Sequence, residues 1–292
     1  MTFDQQYREY LQLIEDGLKS YLADIREDNI VSQAMAYSLM NGGKRVRPVL
    51  ALAFCDLLGG DVQNALPFAC ALEMVHTCSL IHDDLPCMDN DDMRRGKPSC
   101  HKQFGEEFAL LAGDGLLTYA FDIIYAVGTI APERVLACGK VLSSAAGIDG
   151  MISGQTIDLL SENTTIDMET LQKLHALKTG KMITAPCEIG VICAGGNEGD
   201  LKNARIYGQT IGLQFQIVDD ILDKTGTQEQ LGKPIGSDEE NNKSTYVTLL
   251  GLEEAQSQAN ALTQKAMTVL RQYGQKAQFL MALTEKLALR NK

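Results

Sequence analysis

An all-α fold is expected for this chain of 292 residues, on three observations. Apolar residues recur at three- and four-residue steps nearly throughout, as on the buried face of an amphipathic helix. No β-branched run alternates with polar residues between turn signals, so strand signals are poor. The hydrophobic content of 45% is enough for a globular core and excludes a disordered chain. With no internal repeat, low-complexity segment or Pro/Ser linker, residues 1–292 read as one all-α domain with a central helical bundle. Such bundles build metal and ligand sites from side chains on facing helices.

The elements follow in order. Phe3, Tyr7, Tyr10, Leu11, Ile14, Leu18, Tyr21, Leu22 and Ile25 form one apolar helical stripe. A second helix is predicted over Ile30–Leu39 with Asn29 as N-cap, and a third over Arg47–Leu58, ended by Gly59-Gly60. Asp61 is placed to cap the next, which runs to Asp83 and Asp84 and is broken by Pro86. Further helices are predicted near 104–129, 132–147, 167–193, 198–224, 251–273 and 275–290.

Composition narrows the function. A net charge of −12 argues against a nucleic-acid partner. The basic residues occur in short local groups, which suit a small anionic ligand. The eight cysteines form no C-x-x-C pair and sit mostly in apolar periodic segments, as reduced thiols of a cytosolic protein do. No signal peptide is visible, and no uninterrupted apolar run suggests a membrane span.

Two aspartate clusters stand where helices end, at Asp83-Asp84-Leu85-Pro86-Cys87-Met88-Asp89 and at Asp219-Asp220-Ile221-Leu222-Asp223. Carboxylates at a helix C-terminus are disfavoured by up to about 1 kcal/mol each. Crowding them adds like-charge repulsion. A cation is needed to offset both, and oxygen-only donor sets suit Mg²⁺ rather than zinc. Asp219 and Asp223 share one helical face, with Gln216 close to it. His76 lies on the face of Asp83, and Pro86 can turn Asp89 back toward the pair.

Each cluster has basic company. Arg94-Arg95-Gly96-Lys97 follows the first, and arginine forks match phosphate oxygens. Lys233 and Lys243 follow the second. Asn41-Gly42-Gly43-Lys44-Arg45-Val46-Arg47-Pro48 puts three cations beside a glycine turn and a helix start, an anion cradle or ordinary surface charge. Lys178-Thr179-Gly180-Lys181 is a weaker signal of the same kind. Acid followed by base is equally what a surface ion-pair cluster looks like.

Taken together, these motifs resemble the trans-isoprenyl diphosphate synthases, or polyprenyl synthetases, over nearly the whole chain. The first cluster matches the D-D-x-x-x-x-D form of bacterial farnesyl and plant-type geranylgeranyl diphosphate synthases, and the second matches D-D-x-x-D. The resemblance implies an isoprenoid-synthase helical bundle around a central apolar cavity, isopentenyl diphosphate and an allylic diphosphate as substrates, and a homodimer. It implies that Asp83, Asp89 and Asp84 bind Mg²⁺ on the allylic diphosphate, with Asp219, Asp220 and Asp223 completing a clamp of three ions. Arg94, Lys178, Lys233 and Lys243 would hold that diphosphate. Lys44, Arg47, His76 and Arg95 would hold isopentenyl diphosphate, and Thr179 and Gln216 would line the reaction centre.

In many farnesyl-forming relatives an aromatic residue stands five positions before the first aspartate and floors the growing chain. Here that position is Cys78, followed by Ser79. Five helical residues span about 7.5 Å, a depth at which a prenyl tail could meet a plug. A small residue there favours a C20 product, whereas the bacterial pattern favours C15, and Met74, Val75 or a residue from another helix could supply the floor instead. The alternatives are a terpene cyclase of the same fold, a non-catalytic subunit of a heteromeric synthase, or an acidic helical adaptor.

Overall fold

The computed structural model describes residues 1–25, 28–225 and 244–289. Apart from one short hairpin, the regular structure among these residues is helical. The chain divides into two compact units, Met1–Lys140 with Ile192–Gly195, and Val141–Val191 with Gly196–Lys292.

In the first unit, helix α1 (Phe3–Ala23) opens with a capping box between Thr2 and Gln5 and buries Tyr10, Ile14 and Leu18 at four-residue steps. Helix α2 (Ile30–Leu39) starts at Asn29, whose side chain accepts from the Val31 N–H. Helix α3 (Val46–Leu57) and helix α4 (Val62–Asp83) are apolar nearly all round and form the core. The Asp61 carboxylate accepts from the Gln63 N–H at 2.9 Å and starts α4. These starts agree with the sequence reading to within a residue. The hairpin pairs β1 (Met93–Arg94) with β2 (Lys97–Pro98), Met93 opposite Pro98 and Arg94 opposite Lys97. Its two turn residues, Arg95 and Gly96, have φ of 52° and 78°, as a two-residue turn of the primed type requires. It is too short for strand periodicity to signal. Helix α5 (Cys100–Phe104) leads into α6 (Glu106–Tyr125), which packs on α4. Helix α7 (Pro132–Ala146) follows.

In the second unit, α8 (Met151–Ser161) is a helix that apolar periodicity does not predict, because Gly147, Gly150 and Gly154 dilute the pattern. The helix expected over 167–193 is instead α9 (Met168–His175), a π-helical turn (Ala176–Gly180) and α10 (Lys181–Ala194). Helix α11 (Glu198–Thr225) meets the π-turn through small residues. A Cβ on Gly212 would lie 2.8 Å from the Gly180 Cα, and one on Gly208 would lie 2.5 Å from the Thr184 Cα. Helices α12 (Tyr246–Leu250), α13 (Leu252–Arg271) and α14 (Gln278–Ala288) complete the described chain. Leu171, Ile217, Val218, Ile221, Leu222 and Tyr246 form an apolar cluster that fixes the last turns of α11.

Three described segments have the length and composition to cross a membrane, Val62–Asp83, Glu106–Tyr125 and Pro132–Ser161, where the sequence reading expected none. Of these, α4 spends most of its apolar surface inside its own unit.

Candidate active site

The first aspartate cluster closes α4. Asp83 is its last residue, Asp84 is the C-cap, and the Asp89 N–H donates to the Asp83 carbonyl at 2.9 Å. The loop therefore folds back after Pro86 and returns Asp89 to the helix end. Asn90 continues the turn with φ of 53°, and its N–H donates to the Leu85 carbonyl. Asp84 differs from its neighbours. It is buried, and the Arg94 guanidinium bonds both of its oxygens and also reaches Asp91 at 3.0 Å. Burial pushes the Asp84 carboxyl up, and Arg94 works against that shift. Burial alone would lower Arg94, but the Asp84 carboxylate outweighs it and holds the guanidinium charged. In this arrangement Asp84 fixes Arg94, while Asp89 is exposed and Asp83 half-buried.

The basic turn before α3 splits into two roles. The Arg45 side chain is fully buried, with its guanidinium 2.7 Å from Glu73 on α4 and 2.8 Å from Glu15 on α1, and it also donates to the Leu39 carbonyl. Arg45 takes φ of 48° to do this. It belongs to the scaffold, so the expected cradle of three cations keeps Lys44 and Arg47. Tyr7 donates its hydroxyl to the Lys44 carbonyl, and Asn41 donates its amide to the Arg94 carbonyl at 2.9 Å. Arg95 donates to the Gly42 carbonyl. A Cβ on Gly43 would stand 2.7 Å from its guanidinium, which would have to move aside, and the φ of 128° at Gly43 itself favours glycine. His76 lies in the same field. Burial pushes its pKa well down, and Arg47, Arg95, Arg45 and Arg94 push it further. Arg45, Arg47, Arg94 and Arg95 thus all lie close enough to His76 on α4 to act on its charge.

Cys78 lies on α4 with 4% exposure, its sulfur 3.9 Å from His82 Nδ1, and burial raises its thiol pKa to about 12. Ser79 donates to the His76 carbonyl at 2.8 Å. Met74 and Val75 are fully buried. Below His82, α6 presents Gly113, where a Cβ would stand 2.1 Å from His82 Nε2. No pattern in the sequence signals this close approach, which depends on how α4 and α6 pack.

In the second unit, Gly208, Gly212, Gln216, Asp219 and Asp223 follow one another at three- and four-residue steps, so they share the face of α11 that meets the π-turn. That turn carries Lys178 and the buried Thr179. π-turns in helices are frequent at functional sites. Asp220 points elsewhere. Its carboxylate accepts from the Tyr246 N–H at 2.7 Å and so caps α12. Tyr246 in turn packs edge-on against His175, with ring centres 5.7 Å apart. Lys233 and Lys243 lie outside the described residues, as does the terminal Arg290-Asn291-Lys292.

One acidic group escaped the sequence reading. Asp158 on α8 holds Lys178, with 2.5 Å between its Oδ2 and Nζ. The signal was a lone aspartate inside the apolar run Ile157-Asp158-Leu159-Leu160.

The donor chemistry of the two helix ends fits Mg²⁺ completed by a ligand. All donors are carboxylate oxygens. Among the described residues no three His, Cys, Asp or Glu side chains converge into a ready-made metal cage. Mg²⁺ is commonly held by one or two carboxylates plus substrate phosphates and water rather than by an all-protein cage.

A family model described as polyprenyl synthetase matches residues 28–283. A geranylgeranyl pyrophosphate synthase of Capsicum annuum is 44% identical over 270 residues, covering 91% of this chain and 73% of the relative. A farnesyl diphosphate synthase of Geobacillus stearothermophilus is 46% identical over 254 residues, covering 86% of each. The crystal structure of an FPP/GFPP synthase from Zymomonas mobilis superposes with a TM-score of 0.89 at 37% identity, covering 98% of both chains.

Proposed function

The chain belongs to the polyprenyl synthetase family, and from that premise we propose that it is a short-chain trans-prenyltransferase. It joins isopentenyl diphosphate head-to-tail to dimethylallyl, geranyl or farnesyl diphosphate and releases diphosphate. The product is farnesyl (C15) or geranylgeranyl (C20) diphosphate. The observation that supports the reading is that Arg47, Arg94 and Arg95 surround His76 on the apolar helix that ends in Asp83, to which the loop returns Asp89.

Asp83 and Asp89, with Asp219 and Asp223, are the residues that would hold Mg²⁺, three ions in all. Bound there, Mg²⁺ would supply charge neutralisation to the leaving diphosphate. As the family resemblance implies, Arg94, Lys178, Lys233 and Lys243 would contribute positive charge to that diphosphate as the allylic C–O bond breaks and the diphosphate departs with the electron pair. Lys44, Arg47 and Arg95 hold the second diphosphate. Its five-carbon double bond attacks the allylic cation, and a proton is then lost to the released diphosphate, so no protein base is needed. Thr179 and Gln216 present oxygens to the cation, and the apolar side chains of α4 exclude water. Asp84 and Asp220 act one step back, by fixing Arg94 and α12.

Position 78 sets the length of the product. In a Cys78→Tyr variant the added ring shortens the pocket, so an enzyme that makes C20 shifts to C15. Unchanged C20 output from that variant would remove Cys78 from the floor. The exposed Leu110, Leu111 and Tyr125 on α6 are 48%, 49% and 58% accessible and support pairing of two copies through this helix.

The test of the reading is Asp83→Ala and Asp219→Ala, each assayed with isopentenyl and geranyl diphosphates. Each variant is expected to lose most turnover. A near-normal rate in either removes that residue from the chemistry.

A further inference from the structure

Asp158 has no part in the chemistry above, yet it sits where a carboxylate should be unwelcome, beside a cation assigned to a diphosphate. Its Oδ2 is 2.5 Å from Lys178 Nζ, and the two side chains are only 14% and 25% exposed. The approach is built into the backbone. Gly154 lies one helical turn before Asp158 on the same face of α8. A Cβ at Gly154 would fall 2.2 Å from the backbone nitrogen of Lys178 and 2.4 Å from its Cα. No side chain fits there, so glycine is what brings α8 against the π-turn. Lys178 is thus held twice, at the main chain by the close helix and at the ammonium by the carboxylate.

We propose that Asp158 is the positioning residue for Lys178, and that Gly154 sets the helix spacing that lets it act. The proposal rests on the reading of Lys178 as a contact to the allylic diphosphate. A free lysine side chain carries substantial rotamer entropy. Holding it beforehand removes most of that cost from substrate binding. An ammonium has three N–H donors, so one bond to Asp158 is compatible with others turned toward phosphate oxygens. The side chain meets the diphosphate already oriented, and a misplacement of about 1 Å at such a contact can cost roughly a hundredfold in rate.

The experiment compares wild type, Asp158→Asn, Asp158→Glu, Lys178→Ala and the double variant Asp158→Asn/Lys178→Ala. Steady-state rates are measured while the allylic and isopentenyl diphosphates are varied separately. In parallel, each protein is treated with limiting acetic anhydride and the acetylation of Lys178 is read by mass spectrometry against the exposed lysines. Asp158→Asn is expected to lower kcat/KM for the allylic diphosphate by about 10- to 100-fold. KM for isopentenyl diphosphate stays within about twofold, and Asp158→Glu recovers part of the loss. In the Lys178→Ala background the Asn substitution costs nothing further. Acetylation of Lys178 rises severalfold in Asp158→Asn. Unchanged acetylation, or an equal loss of rate with and without Lys178, overturns the proposal. If wild type turns over no primer at all, the functional reading falls, and the acetylation result still decides whether Asp158 holds the lysine.

Discussion

Arg45 and Arg47 stand two positions apart in one basic turn and serve different ends. Arg45 is buried between Glu15 and Glu73, so its charge is fully spoken for within the scaffold. Removing one partner of a buried pair leaves the other charge unpaired. Arg45→Ala is therefore expected to destabilise the protein by roughly 3–5 kcal/mol, read by denaturant unfolding. A loss of activity without loss of stability would show that Arg45 serves the ligand instead. The thiols make a second residue-scale prediction. Burial holds Cys55, Cys70 and Cys78 at pKa values of about 12, so they stay protonated at neutral pH, whereas Cys87 is exposed. A disulfide reagent at pH 7.5 is expected to label Cys87 quickly and those three only on unfolding. Rapid labelling of Cys78 would contradict its burial. His76 sets a pH dependence. Burial and the surrounding arginines hold its folded pKa well below the ordinary 6.5. As pH falls through about 6.5 the unfolded chain gains a proton that the folded one refuses, so stability drops toward acid. His76→Gln should flatten that slope in unfolding measurements from pH 7.5 to 5. At this scale the sequence shows which acidic and basic groups cluster along the chain but cannot tell which of them are buried within the scaffold. Asp84, Asp220 and Arg45 look like their neighbours in sequence, and only burial and partners separate them.

Helices were legible where apolar residues recur with regular spacing and polar caps mark the starts, as at Asn29 and Asp61. They were not legible where glycine does the packing. Gly154, Gly208 and Gly212 bring helix backbones into contact, and a glycine adds nothing to an apolar stripe. Hence apolar periodicity does not reveal α8, and it runs unbroken through the π-turn. These positions are testable at the level of the element. Gly154→Ala puts a methyl group into the Lys178 backbone, which cannot yield as a side-chain tip can. It is expected to lower stability by about 1–3 kcal/mol in a thermal melt. A melting temperature equal to wild type would show that α8 does not approach the π-turn this closely.

At the scale of the molecule, two compact units each end a helix in aspartates, and each supplies basic residues near that end. Family membership was readable from the order and spacing of the two motifs together, since either motif alone is a common surface pattern. Product length was not, because on the proposed reading it turns on side-chain volume at Cys78 and on how α6 meets α4 at Gly113 and His82. The exposed apolar face of α6 leads to an expected solution mass of about twice 31.9 kDa by analytical ultracentrifugation. A single 31.9 kDa species at micromolar concentration would remove the pairing proposal. The most direct measurement supplies purified protein with isopentenyl diphosphate, Mg²⁺ and a C5, C10 or C15 allylic primer, and reads products by mass spectrometry. Chain extension by five-carbon steps to C15 or C20, with one diphosphate released per step, is the predicted result. Diphosphate release from the primer with isopentenyl diphosphate left untouched, or no consumption of either, would contradict it.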